Sequence, residues 1–119
     1  MERVRFILHK EEKILLVDLT DCVPSDALQL AEEVQTLVTA QPKDSVLMLV
    51  DLTRAQFDKT ALDRMKKAAA YDRPHVKRSA MIGGGKHEKT LKQALKFFSQ
   101  REYTSFKNKE EALDWLVAG

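Results

Sequence analysis

At 119 residues, 44% apolar and 32% charged, the chain is long enough for one domain (residues 1–119) whose core needs no disulfide or metal. A single cysteine, Cys22, excludes an internal disulfide framework and points to a reducing, cytoplasmic setting. Net charge is only +2, but residues 73–107 carry nine Lys/Arg against two acids, a local +7, and the remainder carries −5. That asymmetry favours an anionic partner without naming it. The longest apolar runs, such as residues 45–50, are too short to span a bilayer, and the N-terminus has charges on both sides of a short apolar core, unlike a signal peptide.

In chain order, Val4, Phe6 and Leu8 alternate as a first strand, and Lys-Glu-Glu-Lys turns the chain. Residues 14–19 read as a second, more central strand, and the tight connection predicts an antiparallel hairpin. Ser25 and Asp26, after Pro24, look like the N-cap of an amphipathic helix carrying Ala27, Leu30, Ala31, Val34, Leu37 and Val38. Residues 46–52 form a buried third strand. A second helix carries Leu62, Met65, Ala68 and Ala69 and stops before Pro74. Residues 79–82 are a short fourth strand. Leu91, Ala94, Leu95 and Phe98 mark a third helix, residues 103–106 a fifth strand, and Asn108 caps a fourth helix with acids in its first turn. The expected fold is therefore α/β: a mostly parallel five-stranded sheet with an N-terminal β-hairpin and four helices, in the order β-β-α-β-α-β-α-β-α.

Binding sites in such sheets gather at the carboxyl ends of the strands. Three segments should meet there: Val-Asp-Leu-Thr-Asp-Cys at 17–22, Val-Asp-Leu-Thr-Arg-Ala at 50–55, and the Gly83, Gly84, Gly85 run. The first two echo one another at a spacing of 33 residues. Asp18 and Asp51, if their strands are neighbours, could hold Mg²⁺ or frame an acidic phosphoacceptor pocket. The plainer reading is that each carboxylate accepts loop N–H groups and ends its strand. Gly83, Gly84 and Gly85 with Lys86, His87 and Thr90 could cradle an anion at a helix start, although neither the Walker pattern nor G-x-G-x-x-G is met. The plainer reading there is a tight turn needing positive φ.

Lys89, Lys92, Lys96 and Gln100 recur at helical spacing, as a solvated face or a surface for acidic lipid. Aromatic interleaving is missing, which counts against nucleic acid. Cys22 has no C-x-x-C partner, and His9, His75 and His87 have no ligand-like spacing. No catalytic set emerges, and no cofactor is implied.

The element order resembles the STAS superfamily, the sulfate-transporter and anti-sigma-factor-antagonist fold. Within it, residues 50–62 are similar to the family's switch segment: Asp51-Leu52-Thr53 at the strand end, Phe57 as the loop aromatic, and Asp58 to Leu62 opening the helix with one loop residue fewer. The resemblance places Thr60 where the antagonists carry their phosphorylated Ser or Thr. Lys59 and Ala61 depart from the pattern, standing for Ser and Gly. Asp58 or Thr60 can equally serve as a helix cap. The C-terminal part, with Glu110-Glu111-Ala112 and Trp115-Leu116, is similar to small stand-alone bacterial SpoIIAA-like proteins, whose fold is related in outline to CRAL-TRIO lipid-binding domains.

The resemblance implies a non-enzymatic binding or regulatory module that recognises a protein partner or an anionic small ligand and is controlled by phosphorylation. A lipid- or membrane-surface module is the second reading, and a Mg-dependent enzyme on a phosphorylated metabolite the third. Self-association is left open.

Overall fold

The computed structural model describes residues 2–83, 85 and 104–118. Two strands open the chain, β1 (Val4–His9) and β2 (Glu12–Asp18), paired antiparallel from Val4↔Val17 to His9↔Glu12. The turn between them is only Lys10-Glu11, both at positive φ (50° and 68°). Two consecutive left-handed residues match the twist of a two-residue hairpin, a role usually given to Asn-Gly. The strands therefore run further toward the turn than the Lys-Glu-Glu-Lys segment implies.

Helix α1 (Pro24–Thr39), strand β3 (Val46–Asp51), helix α2 (Lys59–Asp72) and strand β4 (Val76–Ile82) follow. Strand β5 (Thr104–Phe106) and helix α3 (Lys109–Val117) complete the described elements. The expected helix carrying Leu91, Ala94, Leu95 and Phe98 lies outside the described residues. The sheet order is β1-β2-β3-β4-β5, parallel from β2 onward.

Strand alternation sorts the core into two layers. Leu15, Val17, Met48, Val50 and Met81 face α1 and α2, whose buried stripe includes Ala27, Leu30, Val34, Ala61 and Ala69. Ile14, Leu16, Leu47, Leu49, Ala80 and Ile82 face the opposite way, toward Ala112, Leu113 and Leu116 of α3. Leu49 is wholly buried; truncating such a leucine to alanine costs about 2–5 kcal/mol. On β1 the alternation tapers. Val4 is buried, Phe6 partly covered and Leu8 exposed, as suits an edge strand.

Helix ends follow local chemistry. Val23, not Ser25 or Asp26, is the N-cap of α1, because Pro24 takes the first helical position. Asp26 then reaches back to accept the Val23 N–H at 3.4 Å. Asn108 caps α3 by accepting the Glu111 N–H at 2.9 Å. At the other end of α3, Arg78 of β4 donates to the Trp115 carbonyl at 2.7 Å and its guanidinium lies 4.9 Å from the centre of that indole. His9 and Asp114, 2.7 Å apart, tie the hairpin to the same helix.

Candidate functional site at the carboxyl edge of the sheet

Strands β2 and β3 end in register, Asp18 opposite Asp51. Parallel pairing puts the two side chains on the same face. Each carboxylate folds back on its own exit loop. Asp18 Oδ1 accepts the Thr20 N–H at 3.0 Å. Asp51 Oδ1 accepts both the Thr53 N–H at 3.0 Å and the Thr53 hydroxyl at 2.6 Å. These are the local Asp-to-backbone bonds that let a chain leave a strand without orphaned N–H groups.

The 33-residue echo extends into identical loop geometry. In the first exit the Cys22 N–H returns to the Leu19 carbonyl at 3.0 Å; in the second, Ala55 N–H returns to Leu52 at 3.0 Å. The residue before each closing donor, Asp21 and Arg54, sits at positive φ (57° and 53°). Those two side chains meet as a bidentate ion pair, Nε–Oδ1 2.6 Å and Nη2–Oδ2 3.0 Å. The Arg54 guanidinium beside Asp21 holds that carboxyl below its ordinary value. The backbones interlock as well: Asp21 N–H to the Thr53 carbonyl and Gln56 N–H to the Cys22 carbonyl, both 2.9 Å.

Arg3 clasps the first exit from outside, donating to the Thr20 carbonyl at 2.7 Å and the Asp18 carbonyl at 3.3 Å. Burial works against ionisation of Asp18, but its Thr20 hydrogen bonds and the fields of Arg3 and Arg5 outweigh it, so the carboxyl lies below its usual range. Cys22 is fully buried between the two exits, and burial pushes its thiol up. A protonated, enclosed thiol is a packing group and a poor nucleophile.

The third exit begins at Gly83, where φ is +71°. A β-carbon there would lie 2.8 Å from the Thr53 backbone nitrogen and collide with its hydroxyl. Gly83 thus meets two demands, a left-handed backbone and close approach to the neighbouring loop. Gly85 is also left-handed, at +52°, but a β-carbon there would have no neighbour within 4 Å among the described residues. Gly84, Lys86, His87 and Thr90 of the expected anion loop, and the row Lys89, Lys92, Lys96, lie outside the described residues.

At the start of α2, Asp58 is the cap: its Oδ1 accepts the Ala61 N–H at 2.8 Å. Thr60 is the second helical residue and is exposed. Phe57 packs against the α1–α2 side of the core, anchoring the loop that leads to it. Among the described residues no three His, Cys, Asp or Glu side chains converge as metal ligands. Two of the histidines are engaged far from this edge, His9 with Asp114 and His75 with the Gln41 carbonyl at 2.8 Å.

Sequence reasoning placed Asp18, Asp51, Gly83, Asp58 and Thr60 at this edge, and they are there. It missed Arg3, and it missed the Asp21–Arg54 pair. The signal for that pair was present: the two residues hold the same place in the two copies of the echo, with opposite charge.

A five-stranded, mostly parallel sheet with a leading hairpin, α1 and α2 on one face and α3 on the other, defines a STAS-like α/β module. A family model described as SpoIIAA-like matches residues 9–117, and the chain belongs to that family. It is also similar in fold to a crystal structure of an uncharacterized protein of the DUF3478 family, with a SpoIIAA-like fold, from Shewanella loihica PV-4. The two share 20% sequence identity over 96% of this chain and 92% of that one, with a TM-score of 0.76. No curated protein matches the chain in sequence. No helix among the described residues is long and apolar enough to cross a membrane.

Proposed function

We propose that this chain is a non-enzymatic recognition module whose contact surface is the second strand exit and the opening turn of α2, with Thr60 as its phosphoacceptor. The observation that carries the reading is the division of labour at that turn. Asp58 already satisfies the helix start, so the exposed Thr60 hydroxyl has no described structural duty there. A phosphate on Thr60 would sit at the positive end of a helix, which tolerates it. It would also add about −1.5 to −2 charges beside a surface that already carries the Asp21–Arg54 pair.

The matching experiment is phosphopeptide mapping of the protein from its native host, combined with affinity capture using wild type, Thr60→Ala and Thr60→Glu. Modified Thr60 and a partner lost or gained with Thr60→Glu are the expected results. An unmodified Thr60 together with identical captured partners for all three forms defeats the proposal.

The +7 charge of residues 73–107 supports a second reading, an anionic small ligand or lipid headgroup as the partner. Flotation with anionic vesicles at low salt tests it, because surface attraction is strongest there; no association under that condition ends it.

A further inference from the structure

Helix α2 carries one residue that its apolar stripe does not explain. Ala61, Ala68 and Ala69 are buried, and the stripe continues three residues on with an acid, Asp72. Asp72 is 5% exposed. Its Oδ1 accepts no hydrogen bond among the described residues. Four more buried polar atoms among the described residues lack such a partner, Arg64 Nη1 on α2 and Gln35 Oε1 on α1 among them. Burying a carboxyl without a partner costs free energy in either protonation state and far more when it is charged. Burial accordingly pushes the Asp72 carboxyl up to about 7, although the field of Arg64 opposes the rise. Near neutrality much of the population holds a neutral –COOH, which can donate as well as accept.

That carboxyl borders an apolar crevice of about 60 Å³ between α1, α2 and the sheet, partly open to solvent. Ala27 and Ala31 of α1 and Ala68 and Ala69 of α2 line it, and Asp72 is its one polar lining residue. Facing alanines leave the two helices short of side-chain volume at this point. The space is well under the roughly 150 Å³ of a cavity that admits benzene, so an occupant must be small.

We propose that the α1–α2 crevice binds a short-chain aliphatic monocarboxylate, its hydrocarbon among Ala31, Val34 and Met65 and its carboxylate hydrogen-bonded to the buried side chain of Asp72. The apolar lining selects an aliphatic body. The unpartnered Asp72 Oδ1 selects a head that can accept a hydrogen bond from the carboxyl O–H. The positive field of Arg64 at Asp72 selects an anionic head over a cationic one. The groups facing Asp72 leave the charge argument simple. Arg64 is the charged group acting on it, and the sheet residues that line the same crevice, Val17, Met48, Val50 and Met81, are uncharged. Asp72 and Thr60 are near opposite ends of α2, about 18 Å apart by helix rise, so this proposal stands apart from the one at the strand exits.

The test is a titration of the ¹⁵N-labelled 119-residue chain with propionate, repeated from pH 6 to 8.5, with n-butylamine as the cationic control. Saturable shifts of α1 and α2 amides with propionate at pH 6 are expected, with none from butylamine. Affinity should fall about tenfold per pH unit well above the Asp72 pKa, because binding then requires uptake of one proton. Asp72→Leu and the crevice-filling Ala31→Leu should each abolish the shifts. The pH series on the wild-type chain decides the matter even if neither variant folds. No saturable shift at pH 6, an affinity that is flat or rises with pH, or equal binding of butylamine overturns the proposal.

Discussion

The two exits at 18–22 and 51–55 begin alike and end differently. Both start with Asp-Leu-Thr, place their fourth residue at positive φ and bury their fifth, Cys22 or Ala55. After that shared turn the first exit passes straight through Val23 into α1, whose start is fixed by Pro24. The second inserts Gln56, Phe57 and Asp58 before α2. The first is clasped from outside by Arg3. The second is wedged between neighbours, the first exit on one side and Gly83 on the other. The same five-residue solution for leaving a buried strand thus serves one edge loop and one central loop. What differs is the chain that follows it, and the segment available for recognition is in that chain.

The harshest way to break the comparison is Gly83→Ala. The new methyl group must adopt a left-handed backbone, at about 1–2 kcal/mol, and press against the Thr53 backbone, for which overpacking of about 1–3 kcal/mol is usual. A loss of roughly 2–5 kcal/mol by urea denaturation is expected, with the amide chemical shifts of the second exit disturbed most and, in the first, the Asp21 amide that bonds to the Thr53 carbonyl shifted with it. Gly85→Ala is the control. It has the same φ penalty without a collision among the described residues and should cost about 1–2 kcal/mol.

Next in size is Asp51→Ala against Asp18→Ala. Asp51 loses bonds to both the amide and the hydroxyl of Thr53, in a loop with neighbours on each side, and about 1–3 kcal/mol is expected. Asp18→Ala should cost less, about 1 kcal/mol, because Arg3 still holds the Thr20 carbonyl. The pH profile sharpens this. The folded-state pKa of Asp18 lies below its ordinary 3.8, so its contribution is fully present above about pH 4 and is lost as pH falls through the lowered folded value. Asp18→Asn should therefore flatten the acid limb of the stability curve and leave the slope near neutrality unchanged. A steeper acid limb in the variant would contradict the assignment.

A smaller effect separates cap from recognition surface in the segment that only the second exit possesses. Asp58→Ala removes the acceptor for the Ala61 N–H and should cost about 1 kcal/mol. Thr60→Ala, exposed in the first turn, should stay within about 0.5 kcal/mol. Equal losses for the two would mean that Thr60 also supports the helix start, and the proposed freedom of its hydroxyl would go.

The fold was legible because period-2 and helical spacing both depend on which face is buried, and β2, β3 and β4 each have one face against α1 and α2 and the other toward α3. Asp51 and Asp58 were legible as strand end and helix start because their bonds are local, to residues two and three positions on. Ser25 and Asp26 misled as caps because Pro24 moves the cap back to Val23, whose side chain gives no capping signal. The left-handed pair Lys10-Glu11 was hidden for a similar reason: neither residue type marks positive φ. Gly83 could be read as a turn residue, but its closeness to Thr53 arises only when β3 and β4 pair. Asp72 could be seen as an acid three positions after Ala69. Its burial depends on α1 packing across it, which no local pattern encodes.

The smallest effect tests the equivalence of the two turns directly. Asp21 and Arg54 occupy matching left-handed positions and are both exposed, so their attraction is screened by solvent and salt. Removing either side chain should leave unfolding midpoints within experimental error at 0.5 M salt, with coupling in a double-mutant cycle visible only at low salt. The sharper measurement is hydrogen exchange at Gln56 and Asp21, whose amides bridge the two exits. A charge swap, Asp21→Arg with Arg54→Asp, keeps both the pair and the two left-handed positions while reversing its direction. If the turns are interchangeable frames, the swap restores the protection that Arg54→Asp alone lowers. If protection stays low in the swap, the side chains are fitted to their own loops, and the second exit differs from the first already within the shared five residues.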